Sequence, residues 1–263
     1  MGYQLTTDTF AIGVSDVERW AEFSGDRNPV HFDPAAARAF GVPFPFVHGM
    51  LSIIPIKVLI DKEISPTPFT VDFRFARPLK VGATMSVSLS KSEPIAIEVT
   101  DAVGGAPLIY GAATRGTGPV GLNATETAVT FAGNKLATPL ALTEICAGAE
   151  GLPAWVQLEA AVFSDFIHSG LLERAIAVHM SSVQDPNPRS AYTLLHTRNI
   201  TSVTSPVAPL AELAATLRLA ATAPSVARVK GGYVITFSLG AEAADQPVTL
   251  SKATLMLRLN KKG

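Results

Sequence analysis

The 263-residue chain is 48% apolar and 16% charged, with a formal net charge of −1. That balance offers nucleic acid no basic face, and no stretch nears the ~18 uninterrupted apolar residues of a membrane helix. The opening "MGYQLTTDTF" has no basic region ahead of an apolar core, so a soluble, cytoplasmic protein is expected. A single cysteine, Cys146, excludes an intrachain disulfide framework and a multi-cysteine zinc site.

In chain order, "DTFAIGV" reads as an opening strand, and Ser15 and Glu18 read as a capping box ahead of Val17, Trp20 and Ala21 at helical spacing. That helix ends at "SGD". A polar loop follows, after which Asp33 and Pro34 supply the N-cap and first position of a short helix that stops at Gly41. "HGMLSIIPIKVLIDK" is apolar on almost every side, as expected of a helix buried all round and kinked by Pro55. Four strand-like runs come next, "PFTVDFRFARPL", "ATMSVSLSK", "AIEVTDA" and "PLIYGAATR", separated by turn residues and expected to form an antiparallel meander.

Gly116 to Asn134 is small, polar and glycine-rich, which places a boundary there, with units of 1–120 and 121–263. The second unit repeats the outline of the first. A helical region from about Leu140 to Ser181 precedes strand-like runs at "AYTLLHTRNITSV", "ELAATLRLAAT", "ARVKGGYVITFSLG" and "PVTLSKATLMLRL". Two such units, each curling a sheet round a central helix, would pair edge to edge and cover the edges a lone sheet must hide.

The loop between the first two helices holds Gly25-Asp26-x-Asn28-Pro29-x-His31-x-Asp33, followed by Ala37 and then Val47-His48-Gly49-Met50-Leu51. This pattern resembles the MaoC-like (R)-specific enoyl-CoA hydratases of the hotdog fold, and "FARPLKVGATMSV" is similar to that family's strand pair after the central helix. The resemblance covers most of the first unit. It implies an α+β double hotdog, with an intact first half and a degenerate second half. "QDPNPR" at 184–189 repeats D-x-N-P without the histidine and reads as a turn.

Adding water across a trans-2-enoyl thioester needs a base for the water, a proton donor at the α-carbon and a cradle for charge on the thioester oxygen. The resemblance implies that Asp26 and His31 share the first two tasks. Pro29 restricts the loop between them by fixing its own φ and biasing Asn28 towards an extended shape. The cradle falls to the backbone N–H of Gly49, at the N-terminus of the buried helix, where the dipole favours negative charge. Asn28, His48 and Met50 are implied at the substrate site, Asn28 supporting the loop and His48 in a structural role. Asp26 and His31 are expected to titrate as a coupled pair, giving a bell-shaped pH profile. No cofactor and no metal are implied.

Each signal has a plainer counterpart. D-R-N-P is also good turn chemistry. His168, His179 and His196 lack carboxylate or cysteine company at metal spacing and read as solvent-facing or satisfied structural histidines. Cys146 reads as a packed helix position. Arg74, Arg77 and Lys80 form either a solvated face or a contact for the phosphates of coenzyme A or an acidic acyl carrier protein. Three functions stay open: a hydratase or dehydratase of acyl-CoA or acyl-carrier-protein thioesters in fatty acid or polyketide metabolism, a hotdog thioesterase, and a non-catalytic acyl-binding subunit. No nucleic acid or membrane partner is expected. A double hotdog either mimics a homodimer within one chain or pairs again as a homodimer.

Overall fold

The computed structural model describes residues 5–102, 104–116, 128–131, 152–180, 192–204, 217–243 and 246–259. The first half runs β1 (Leu5–Ala11), α1 (Val14–Ser24), a 3-10 turn (Pro29–His31), α2 (Pro34–Phe40), α3 (Gly49–Ile64), β2 (Phe69–Phe75), β3 (Thr84–Ser90), β4 (Ile95–Asp101) and β5 (Ile109–Arg115). The second half runs β6 (Ala128–Phe131), α4 (Ala154–His168), α5 (Leu171–Met180), β7 (Tyr192–Val203), β8 (Leu217–Thr222), β9 (Ser225–Val229), β10 (Gly232–Ala243) and β11 (Gln246–Leu259). Cys146 and the 184–189 run expected to be a turn lie outside the described residues.

All the strands among the described residues join one sheet in the order β1-β3-β4-β5-β2-β7-β11-β10-β8-β6, with β9 beside β10. The first half is therefore not a simple meander. Only β3, β4 and β5 pair consecutively, while β2 returns to the far side of β5 and β1 lies along β3. The order β2-β5-β4-β3-β1 is matched by β7-β11-β10-β8-β6, so the two halves repeat one topology about the β2–β7 seam. That seam is antiparallel, from Phe69 opposite Val203 to Arg74 opposite Arg198.

Period-two patterning sets the inner face of the sheet. Phe69, Val71 and Phe73 of β2, Val87 and Leu89 of β3, and Ile95, Ile97 and Val99 of β4 are all buried. They close over α3, where Ile53, Ile56 and Ile60 are wholly inaccessible and the helix continues through Pro55. α4 is the counterpart of α3 in the second half, buried through Trp155, Leu158, Val162 and Phe166. The two helices are tied by Lys57 Nζ, which donates to Glu159 Oε2, both side chains 1% exposed. Glu159 Oε1 in turn accepts from Thr201 Oγ1 at 2.8 Å and Asn199 Nδ2 at 3.2 Å, so the buried charges are hydrogen-bonded as well as paired.

Two local expectations are corrected. α1 starts at Val14, ahead of the Ser15 expected to cap it, and Asp16 Oδ2 accepts from the Gly13 N–H at 2.8 Å. An acid in the first turn does the capping, so Ser15 and Glu18 fall inside the helix. "ARVKGGYVITFSLG" is a hairpin and not one strand, because Gly231 at φ 90° turns β9 into β10.

Candidate active site

The polar loop is built by local rules. α1 ends on Gly25, whose φ of 76° is left-handed and whose N–H reaches Ala21 O at 2.9 Å. A Cβ at Gly25 would also stand 2.9 Å from a carbon of the His168 ring, so the chain turns there with no room for a side chain. Asp26 follows, and its Oδ1 accepts from the Asn28 N–H at 3.3 Å. Asn28 Oδ1 then accepts from Val30 N at 3.4 Å, capping the turn that Pro29 begins and His31 ends. Asp33 Oδ1 caps α2 through Ala35 N at 2.7 Å. Asn28 thus holds the loop through its backbone and its own cap.

His31 is buried, and its Nδ1 donates to Phe46 O at 2.7 Å, which leaves Nε2 with the lone pair of the neutral ring. His48 lies behind it with ring centroids 3.7 Å apart, and its Nε2 donates to Asp26 O at 2.9 Å. His48 therefore braces both Asp26 and His31. Burial pushes the His31 imidazole down to about 3, the neighbouring His48 adding to the effect. Burial also lowers His48, against the pull of Asp26. For Asp26, burial alone would raise the carboxyl, but His48, His31 and the Asn28 N–H together hold it below its usual value. At neutral pH the pair is a carboxylate beside a neutral imidazole.

One ligand atom each from Asp26, His31 and His48 lies within 4.8 Å of the others, a spacing that suits a metal ion. The ring geometry does not. The two rings lie stacked, 29° from parallel, and His31 Nδ1 and His48 Nε2 are already engaged by the Phe46 and Asp26 carbonyls. The trio fits a stacked proton-transfer site better than a coordination sphere.

Asp26, Asn28, His31 and Gly49 line a cavity of about 320 Å³. Gly49 opens α3, so its N–H is among the helix donors without an intrahelical acceptor. Two expected substrate-site residues, His48 and Met50, are not among those that line the cavity: His48 stands behind His31, and Met50 turns inwards. The first turn of α3 sends the Met50 side chain into the core, where its sulfur lies 3.6 Å from Asn199 Nδ2. Of the expected basic cluster only Arg77 lines the cavity, where exposed Arg27 and Arg258 join it. Arg74 faces Asp72 at 3.9 Å, and Lys80 lies 5.9 Å from the Phe44 ring.

The second half supplies the opposite wall through Phe163, Tyr192 and His196. His196 was expected to be a solvent-facing or satisfied structural histidine. Instead its ring sits 5.3 Å from Phe75 and 6.2 Å from Phe163, and its side chain presses on Gly49. His168 and His179 are satisfied structurally, their Nδ1 atoms donating to Ser164 O at 2.8 Å and Ala175 O at 3.0 Å. Nothing in the strand-like run around His196 marks it out, since its neighbour Gly49 belongs to the other half.

Fold and site together define a double hotdog with one polar loop at a cavity between its halves. A conserved hypothetical protein of Mycobacterium tuberculosis described as a double hotdog shares this fold, with a TM-score of 0.60 at 12% identity over 98% of this chain and 96% of that one. Residues 3–106 match the MaoC like domain family. A curated relative, 3-hydroxyacyl-thioester dehydratase X of Mycobacterium tuberculosis, is 31% identical over 77 residues, 29% of this chain. The mitochondrial 3-hydroxyacyl-[acyl-carrier-protein] dehydratase of Arabidopsis thaliana is 46% identical over 44 residues, 17% of this chain. These alignments span about a quarter of the relatives, 27% and 26% of their lengths. No helix among the described residues is long and apolar enough to cross a membrane.

Proposed function

We propose that the chain is a hydro-lyase that adds water across a trans-2-enoyl thioester to give the (R)-3-hydroxyacyl thioester, or removes that water in reverse. The observation that carries this reading is the convergence of Asp26 and His31 on a cavity that also meets the start of α3 at Gly49. The (R) configuration is taken from the family resemblance.

Water held between the Asp26 carboxylate and His31 Nε2 has both protons engaged, which aims an oxygen lone pair at C3 of the substrate. As the O–C3 bond forms, one water proton passes to the pair and the C2–C3 π electrons move towards the thioester oxygen. The Gly49 N–H and the dipole of α3 stabilise that oxyanion. The held proton then moves to C2, and the site returns to its starting state with one water added. The same groups run the elimination backwards. The acyl chain lies against apolar walls from both halves, and Arg27, Arg77 and Arg258 meet the phosphates of a coenzyme A or acyl-carrier-protein thioester. Residues 1–120 carry the motif and 121–263 complete the wall. The lone cysteine favours a cytoplasmic setting.

The test is the absorbance of crotonyl-CoA, which loses its conjugated enoyl band on hydration. The wild-type protein is expected to bleach the band and the Asp26→Asn protein to leave it. A folded wild-type protein with no turnover on any short or medium trans-2-enoyl thioester overturns the reading.

A further inference from the structure

The contact between Gly49 and His196 joins the two halves at the reacting end of the cavity. A Cβ built on Gly49 would stand 2.3 Å from Cβ of His196 and 3.1 Å from its Nδ1, so position 49 is glycine because β7 of the other half occupies the space. His196 lines the same cavity as Asp26, His31 and Gly49. Its Nε2 is shut away from solvent with no hydrogen-bond partner among the described residues. A neutral imidazole carries one proton, and a buried N–H without an acceptor costs more than an idle lone pair. The favoured tautomer therefore leaves the lone pair on Nε2 and puts the proton on Nδ1, on the side of Gly49.

We propose that His196, supplied by the second half, is a second donor to the substrate's thioester carbonyl, its Nδ1–H standing beside the Gly49 N–H. The carbonyl cradle is then composite, with one donor from each half of the chain. Burial keeps the ring neutral, lowering it to about 4 against the pull of Asp26, so the donor is an imidazole that does not titrate near neutrality. A neutral donor suits the task, because it strengthens its bond as charge develops on the oxygen without giving up its proton. The flanking Phe75 and Phe163 rings hold the imidazole and keep the bond in apolar surroundings. The substrate class assumed here rests on the hydro-lyase reading above.

The test compares His196→Leu, which keeps bulk without a donor, with His196→Asn, whose amide places an N–H near the position of Nδ1. With crotonyl-CoA, His196→Leu is expected to lose about 10² to 10³ in kcat with KM little changed, as for loss of an oxyanion donor, and His196→Asn to recover most of it. Melting curves accompany both, since a packing role would make activity follow stability and favour Leu over Asn. Independently of turnover, the carbonyl stretch of bound [1-13C]butyryl-CoA is expected to move to lower frequency in wild type and Asp26→Asn, and to move less in His196→Leu. If wild type shows no turnover yet that stretch depends on His196, the hydro-lyase reading fails and the carbonyl contact stands. If His196→Leu does not fold, the 15N resonance of Nδ1 in the wild-type protein decides, and it is expected to shift on adding butyryl-CoA. A folded His196→Leu with wild-type kcat and an unchanged carbonyl band, or an Nδ1 resonance that ignores the ligand, overturns the proposal.

Discussion

His48 and His31 stack at 3.7 Å between ring centroids, and the rear ring reaches past the front one to hold the Asp26 carbonyl at 2.9 Å. One imidazole thus fixes the position of both proposed proton-transfer groups. His48→Gln keeps a donor near the position of Nε2 and is expected to retain turnover within about tenfold. His48→Ala removes both the brace and the stack and is expected to cost about 10² in kcat, of the size seen when a reacting group is misplaced by an ångström. The acid limb should move to higher pH in both variants, because His48 helps hold Asp26 and His31 below their ordinary values. An acid limb that stays in place in His48→Gln would contradict that coupling.

Replacing Asp26 by Asn keeps its volume and removes its basicity. Loss of a positioned proton-transfer group costs about 10² to 10⁴ in rate, and the same is expected of His31→Ala. Because both act on one water, the double variant should be little worse than the worse single one. Additive losses in a steady-state comparison of the three proteins would mean that the two side chains work at separate steps.

The pH dependence follows from the direction of the shifts. The proposed hydration needs Asp26 ionised and His31 neutral, and both groups titrate below their ordinary values, His31 at about 3. Protonation of the site should therefore leave activity intact well below pH 6.5, for as long as the fold itself survives. Neither working form requires a proton, so the alkaline limb of the bell expected from sequence should be missing. Stability tells the same story: His31, His48 and His196 are all lowered, so the unfolded chain binds more protons below pH 6.5. The stabilisation is complete above pH 6.5 and drains away as pH falls towards about 4, by at most roughly 4 kcal/mol per pH unit if all three charge together. Denaturant unfolding between pH 7.5 and 5 measures it, and a flat profile would contradict the burial of these rings.

Lys57 and Glu159 lie 102 residues apart in sequence and form a buried pair between the two central helices. Removing one partner leaves a buried charge unmatched, so Lys57→Met or Glu159→Leu alone is expected to cost about 3–5 kcal/mol. The double change should recover much of that loss, since well-packed apolar residues often replace a buried pair at little cost. Chemical denaturation of the four proteins closes the cycle.

What the sequence made legible was local. Gly25, Asn28-Pro29, Asp33-Pro34 and Gly41 act within a few residues of themselves, through caps and turns whose rules need no knowledge of the rest of the fold. The buried helix announced itself by being apolar all round, and the strands by alternation. The cap of α1 was misplaced because Asp16 and Ser15 are both good capping residues one step apart. His196, Met50 and the Lys57–Glu159 pair were not legible, for a common reason. Each is defined by what the other half brings against it, and neither Asn199 beside Met50 nor Gly49 beside His196 leaves a mark on the local pattern.

Under the proposed function, the ladder from Phe69–Val203 to Arg74–Arg198 has a consequence for how many acyl groups one polypeptide would serve. Cut loose between β5 and β6, the first half would present β2 as a bare edge, and its cheapest cover would be a second copy of itself. That assembly would hold two motifs, hence two loading sites. Fusion to a partner that fills the same edge halves the stoichiometry, so calorimetric titration with a saturated acyl-CoA should reach its endpoint at one equivalent per chain.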